Sequence, residues 1–596
     1  MCGFVAVFAY ASDAPPVDAK ILDAINQALA RRGPDGEGMW LADDRRAGLA
    51  HKRLAIIDLS DDAAQPMTLE GPQGSLHISY NGEIYNFREL RRELQEQGAE
   101  LRTNSDTEVL LHLYQRYGRD MVRRLRGMFA FALWDENRRG MLLARDGFGI
   151  KPLYYLNDGK SISAASQVKA LLAGLRASGK PRPEFDPAGH VGFFLFGNVP
   201  EPHTLYENVR ALPAGSTLWI DDEGPAKVET YFDVSARLSD KTSAPDDEVL
   251  GELLRDSLKH HFVADVPVGV FLSSGLDSAT LVAMGSELQG ANLDTLTLGF
   301  EEFLGTANDE VPLAETIADA YGTRQHTVRV AGSDFAQDLD DLLNAMDQPS
   351  IDGVNTYFVA RAAAGEGLKV AISGLGGDEL FAGYDSFSQI PTLVGGLGRC
   401  PGAGGIGRII RTLTAPLGGS LVRPKAPGLL EYSGNYGDAY LLRRALFMPW
   451  ELPRILDPEL VREGLRELNV RQRLHSCQSG VAAPKAKVAA LEMNWYMRNQ
   501  LLRDADWAGM AHGLEIRVPF VDTALFSSLA GVIAHNRGPG KQAMAATPDR
   551  ALPAEVLNRP KSGFSVPVRD WLEGSGPRER GLRGWAKRVY QAQIAA

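Results

Sequence analysis

At 596 residues the chain is longer than one hydrophobic core ordinarily spans, so at least two domains are expected. A composition of 44% hydrophobic and 23% charged residues is that of a folded globular protein and excludes wholesale disorder. The balance of 63 Lys and Arg against 75 Asp and Glu gives a net charge of −12 and, with no long basic run, sets nucleic acid aside as a partner. Cys2, Cys400 and Cys477 are too scattered for a disulfide framework or a CxxC metal site, and no apolar run approaches the ~18 residues of a membrane helix. A reducing, cytoplasmic setting without a membrane partner is expected, and the pattern carries no sign of oligomeric state.

Along the chain, residues 1–205 read as short strands mixed with a few helices. Strand-like runs are Gly3 to Phe8, Leu76 to Tyr80, Met128 to Trp134 and Gly140 to Ala144; helical spacing shows at Ile21 to Leu29, at Asn86 to Gln97 before Gly98, and at Ser105 to Tyr117 before Gly118. That mixture predicts an α+β domain. Residues 206–245 read as a linker or interface segment. From about 246 to 575 apolar strands, Val268 to Leu272, Leu293 to Leu298 and Val370 to Ile372, alternate with helical patterns and predict a parallel α/β domain. The Gly- and Pro-rich stretch 390–430 reads as a loosely packed or mobile insertion, and 576–596 as a solvated basic tail.

Removal of Met1 would leave Cys2 with a thiol and a free α-amine, a nucleophile with a base of pKa ~7.7–8 attached. In order after it come Arg31-Arg32-Gly33-Pro34-Asp35-Gly36, His51-Lys52-Arg53-Leu54, Asn81-Gly82-Glu83-Ile84-Tyr85-Asn86 and Ser105-Asp106-Thr107-Glu108. Singly each has a plain structural reading: Asn-Gly is a hairpin turn, and Ser105 with Glu108 fits a capping box. As a series they closely resemble the glutaminase domain of the N-terminal-nucleophile glutamine amidotransferases, an αββα sandwich. The resemblance implies that Arg53 binds the glutamine carboxylate, that Glu83 and Asp106 bind its α-ammonium, and that Asn81 with the Gly82 amide forms the oxyanion hole. Those residue types suit a zwitterion and a tetrahedral intermediate.

In the second half, the apolar strand at Val268 runs into Ser273-Ser274-Gly275-Leu276-Asp277-Ser278 and then into helical register, an anion cradle without the Walker lysine. It resembles SGGxDS, the pyrophosphate loop of enzymes that cleave ATP between its α- and β-phosphates, with Ser274 in place of the first glycine. A second strand ends in Ser373-Gly374-Leu375-Gly376-Gly377-Asp378-Glu379, followed by DADWAGMAHGLEIRVPFVD from Asp504 and NRPKSGFSVP from Asn558. This set resembles the synthetase domain of the glutamine-hydrolysing asparagine synthetases. The resemblance implies ATP contacts at Leu272, Ser273, Ser274, Gly275, Asp277, Ser278, Leu298, Ser373 and Gly374, Mg²⁺ at Asp277 and Asp378, Lys561 against the departing pyrophosphate, and Glu515 and Arg517 as paired active-site charges.

The function so implied is ATP-driven amidation of aspartate to asparagine by glutamine-derived ammonia, through an acyl-adenylate, with ammonia moving through a shielded passage between the sites. Leu375 stands where the resembling synthetases commonly carry an acid, which leaves Glu379 and Glu515 as proton acceptors by motif, or points to another carboxylate acceptor. Retention of Cys2, Asp277, Asp378 and Lys561 together argues against a non-catalytic relative.

Overall fold

The computed structural model describes all residues except Met1, Gln73, 241–249, 400–401, 415–424, 560–566, 572–580 and Ala596. Lys561 and Cys400 therefore lie outside the described residues.

Two antiparallel sheets form the amino-terminal half. One runs, in spatial order, Val209–Ala211, Tyr154–Asn157, Ile162–Ala165, Gly3–Phe8, Ala47–Arg53, Gly36–Leu41; the other Gly224–Pro225, Ser216–Asp221, Gly140–Arg145, Gly127–Asp135, Leu76–Ile84, Met67–Leu69, with Glu229–Thr230 paired to Ser216–Asp221. They stack face to face. Strand alternation divides the apolar side chains: Phe4, Ala6 and Phe8 enter the layer between the sheets with Leu49, Trp134 and Leu143, while Val5 turns outward towards helices Ala19–Gln27 and Val168–Ala177. The second sheet likewise sends Phe129, Phe131 and Leu133 outward to helices Phe87–Glu96 and Asp106–Tyr117. Because both faces of both sheets are covered, the central strands read as unbroken apolar runs, and the αββα expectation holds.

The carboxy-terminal half is built on a five-stranded parallel sheet ordered Arg324–Val330, Asp294–Phe300, Val268–Phe271, Val370–Ile372, Glu515–Arg517. Helix Leu276–Gln289 follows the central strand directly after the serine-rich turn, which places that turn at the carboxyl edge of the sheet.

Three regions depart from the sequence reading, and the segment after Asp504, which it leaves without elements, acquires them. Residues 206–245 are no plain linker: Val209–Ala211 and Ser216–Asp221 complete the two sheets, and their brevity hides them in the sequence. In 390–430 the described residues form helices Ser386–Gly395 and Ala403–Thr414, although the second leaves Ile406 and Ile409 exposed. The segment after Asp504 is helix Arg503–Met510, a turn through Gly513 at φ +65°, and then strand Glu515–Arg517. The carboxy-terminal helix Arg583–Ala595 is not solvated: Trp585, Ala586 and Val589 are buried, and Tyr590 Oη lies 2.6 Å from His190 Nδ1 of the amino-terminal half. Trp585→Ala should lower stability by about 3–5 kcal/mol, read as an earlier urea midpoint, whereas a solvated tail would leave the midpoint unmoved.

Candidate active sites

Strand register brings the amino-terminal residues together. Gly3 pairs with Lys52, so Cys2 stands beside the end of the strand that carries Arg53. Cys2 is buried; its N–H donates to Asn81 Oδ1 at 3.0 Å and its Sγ lies 3.8 Å from the Leu54 carbonyl. With Oδ1 engaged, Asn81 Nδ2 is left buried without a hydrogen-bond partner, a donor aimed at no group of the protein. Gly82 follows at φ +154°, where a Cβ would fall 2.1 Å from the Met128 carbonyl, so only glycine permits this approach of the two strands. An unpaired amide beside the thiol is the donor an oxyanion requires.

The expected glutamine ligands surround it. Arg53 is held in place by donating to the Ser60 carbonyl at 2.8 Å and to the Asp58 carbonyl. Glu83 is buried, with Oε2 free of hydrogen bonds and 3.5 Å from Arg517 Nη2. Asp106 Oδ2 accepts from Tyr80 Oη at 2.8 Å and from the Ile84 N–H at 3.0 Å. Burial pushes the Asp106 carboxyl up to about 6 against the pull of those two bonds. Ser105 caps the helix through the Thr107 N–H, but Glu108 does not close a capping box; it reaches back to the amides of Arg102 and Thr103.

The second half supplies the floor of this site. Arg32 donates from Nε to the Cys2 carbonyl at 3.0 Å and makes a buried bidentate pair with Asp506 at 2.7 and 3.0 Å. Strand Glu515–Arg517 alternates in the ordinary way: Ile516 faces the ATP-loop cavity, while Glu515 and Arg517 face the glutaminase half. The two are paired as expected, Nε to Oε1 at 2.6 Å, but the pair lies away from the ATP turns. Arg517 also donates to the carbonyls of His261 and Val263. Burial pushes the Glu515 carboxyl up and the guanidinium beside it overrides this, holding it low.

The ATP-loop residues line one cavity of about 260 Å³. Leu272, Ser273, Asp277, Ser278, Leu298, Ser373, Gly374 and Asp378 are on its wall, as are Leu375, Glu379 and Tyr384. Ser274 and Gly275 are not; Ser274 is buried beside Glu310, which explains how a side chain is accommodated where the motif has glycine. Ser273 and Ser278 hydroxyls are 2.9 Å apart, and the Ser278 hydroxyl also accepts the Ser273 N–H, fixing the turn. Between the two aspartates sits the Lys541 ammonium, bound to both oxygens of Asp277 and 2.9 Å from Asp378 Oδ1. Two carboxylates converging on one cation position suit Mg²⁺ completed by phosphate oxygens.

Glu379 is buried, accepts from Tyr384 Oη at 3.0 Å through Oε1, and leaves Oε2 without a hydrogen-bond partner. Burial, then Asp378 and Glu492, push its carboxyl up to about 8.

Residues 1–232 match the family described as glutamine amidotransferase domain, and residues 249–591 match asparagine synthase. A glutamine-hydrolysing asparagine synthetase of Bacillus subtilis is 31% identical over 99% of this chain and 90% of its own length. A putative enzyme of the same name from Mycobacterium bovis is 34% identical over 96% of this chain and 88% of its own. An amidase, chry2, of Gibberella zeae is 33% identical over 65% of this chain and 60% of its own. The chain belongs to the glutamine-hydrolysing asparagine synthetase family.

As a member of that family it is a glutamine-hydrolysing carbon–nitrogen ligase. Sequence reasoning missed three of its site residues. Lys541 follows Gly-Pro-Gly at the start of a short helix and carries no motif; Arg32 lies within a quoted motif, yet its partner Asp506 is 474 residues away; Tyr384, five residues beyond Glu379, meets it at 3.0 Å.

The Asp106 carboxyl titrates above the ordinary carboxylate range, so protonation on falling through about pH 6 removes the charge that meets an ammonium group. Glutaminase kcat/KM should therefore fall on the acid side near pH 6. Tyr80→Phe deletes a bond that favours the anion and should move that limb to higher pH; an unmoved limb would assign it to another group.

Proposed function

We propose that the protein transfers glutamine-derived ammonia to a carboxylate activated by ATP, and that the carboxylate is the side chain of aspartate. The observation that carries the glutaminase step is the buried, unpartnered Asn81 Nδ2 beside the Cys2 thiol. With Met1 removed, the Cys2 α-amine takes the thiol proton, sulfur attacks the glutamine carboxamide, and Asn81 Nδ2 with the Gly82 N–H receives the oxyanion. Ammonia leaves, and water releases glutamate from the thioester. Arg53 meets the glutamine carboxylate, and Glu83 and Asp106 its ammonium.

In the second cavity ATP is a substrate. Asp277 and Asp378 would hold Mg²⁺, which when bound would offset charge on the phosphates. The Ser273 and Ser278 hydroxyls and the helix start cradle pyrophosphate, with Lys541 and Lys561 as countercharges. The acceptor carboxylate attacks the α-phosphorus, pyrophosphate departs, and ammonia displaces AMP from the acyl-adenylate. Because Glu515 faces away and is tied to Arg517, the free Oε2 of Glu379, held by Tyr384, is the group that takes the proton from the attacking nitrogen.

One observation favours a second reading. Leu375, Val359, Leu501 and Ile516 make part of the cavity wall apolar, and a relative named an amidase lies at similar identity, so a less polar carboxylate acceptor is the alternative.

Cys2→Ala should abolish glutamine-dependent amidation and spare synthesis from added ammonium. With ATP, Mg²⁺, glutamine and aspartate, asparagine and AMP should rise together. If AMP forms no faster than in an aspartate-free control while glutamate is still released, aspartate is not the acceptor and other carboxylates must be screened. Asp277→Asn should cut AMP formation by ~10²–10³ and leave basal glutaminase measurable. Glu379→Gln should retain ATP–pyrophosphate exchange and lose amide formation by ~10²-fold or more.

A further inference from the structure

Glu492 is a fully buried acid at the start of the π-helical segment Glu492–Leu502, and three side chains from other parts of the chain converge on it. Ser386 Oγ donates to Oε1 at 2.5 Å and Tyr440 Oη to Oε2 at 3.2 Å. The Arg444 guanidinium spans both oxygens, with Nε 3.2 and 3.0 Å from Oε1 and Oε2 and Nη2 2.9 Å from Oε2. A buried carboxylate matched in this way is a fixed point. Arg444 closes helix Tyr436–Arg444 and belongs to none of the motifs that carry the family resemblance.

The guanidinium also has two aromatic neighbours. Its central carbon lies 3.9 Å from the Tyr496 ring centroid and 4.7 Å from that of Tyr384, and the two rings meet edge to face at 6.0 Å. Tyr384 is the residue whose hydroxyl donates to Glu379 Oε1 at 3.0 Å, and both line the ATP-loop cavity. Glu379 sits in the short helix Gly377–Leu380, which ends before Tyr384, and Ala382 between them stands at φ +53°. No helical register therefore sets the phenol against the carboxyl. Its ring is set from outside, by a planar cation that the Glu492 contacts have already oriented.

We propose that Arg444 is a positioning residue of the amide-forming step: clamped by Glu492 and set against the Tyr384 and Tyr496 rings, it fixes the tyrosine that pins Glu379 Oε1 and so leaves Oε2 for the reacting nitrogen. This rests on the reading of Glu379 as the proton acceptor. An ion pair that serves stability alone needs only the Glu492 contacts. The stack on a ring that reaches into the cavity is what ties Arg444 to the reaction, because a proton acceptor misplaced by a fraction of its bond length loses much of its effect.

The test compares ATP–pyrophosphate exchange with single-turnover, ammonium-dependent amide formation, using aspartate or whichever carboxylate supports exchange in the wild type. Arg444→Lys keeps a cation for Glu492 and gives up the planar stack; Arg444→Met/Glu492→Gln removes both charges, so that neither is left buried alone. Both should leave exchange unchanged and slow amide formation by about tenfold or more. Arg444→Lys should add no further loss in a Glu379→Gln background, since there is then no base to position. Exchange and amide formation falling together in both variants would make Arg444 a structural residue and overturn the proposal. So would unaltered amide formation, or a loss in the Glu379→Gln background as large as in the wild type. If Glu379→Gln by itself leaves amide formation intact, the assignment of the base fails and takes the proposal with it, whereas the other adverse results leave that assignment standing.

Discussion

The position of the amino-terminal nucleophile depends on the buried pair between Arg32 and Asp506. A charge taken out of water is tolerated only when it is matched, and removing one member of such a pair costs about 3–5 kcal/mol through the charge left behind. Here the match spans the two halves of the chain and is bidentate, with both side chains almost fully buried. The same guanidinium donates to the Cys2 carbonyl, so the position of the nucleophile is set by a contact to the synthetase half. Lys369 with Asp35 and Arg126 with Asp522 add further ties across the boundary. Among the described residues Lys151 Nζ is the buried cation there without a hydrogen-bond partner, and its burial draws its pKa down despite Glu515 and Asp506.

Strand Glu515–Arg517 lies between the two cavities and belongs to both. Its side chains alternate, so Arg517 approaches Glu83 of the glutamine site while Ile516 lines the ATP-loop cavity. Its backbone holds the other turn directly, since the Ser373 N–H donates to the Arg517 carbonyl at 2.8 Å. Glu83 thus meets the side chain, and Ser373 the backbone, of the same residue. The strand is three residues long and sits at the edge of its sheet, where parallel pairing to Val370–Ile372 fixes it on one side alone.

Much of this was legible in the sequence because the glutaminase and ATP turns are local. Asn81, Gly82 and Glu83 are consecutive, Ser273 to Ser278 span one turn, and contiguous motifs keep their residue types wherever the chain goes. What could not be read was pairing at long range. Lys541 and Arg32 find partners 264 and 474 residues away, and no spacing rule reaches that far. The face of a strand was equally hidden: Glu515 and Arg517 look like active-site charges in one dimension, and only the direction of Ile516 towards the ATP-loop cavity shows that they face the glutamine site instead. The strands of 209–230 escaped for a different reason, being two to six residues long with polar ends.

Three buried carboxyls in this molecule have been separated by their neighbours. Burial alone pushes each one up, and what differs is the charge opposite. Glu515 has Arg517 and stays low; Asp106 has neutral donors and settles near 6; Glu379 has a tyrosine hydroxyl and two further acids and rises to about 8. A group near 8 holds its proton at neutral pH and accepts none. Part of that rise comes from Asp378, one of the two aspartates that converge on a cation position. Each further positive charge placed beside Asp378 weakens this push and lowers Glu379 towards neutrality. A further cation at that position therefore moves Glu379 towards its ionised form.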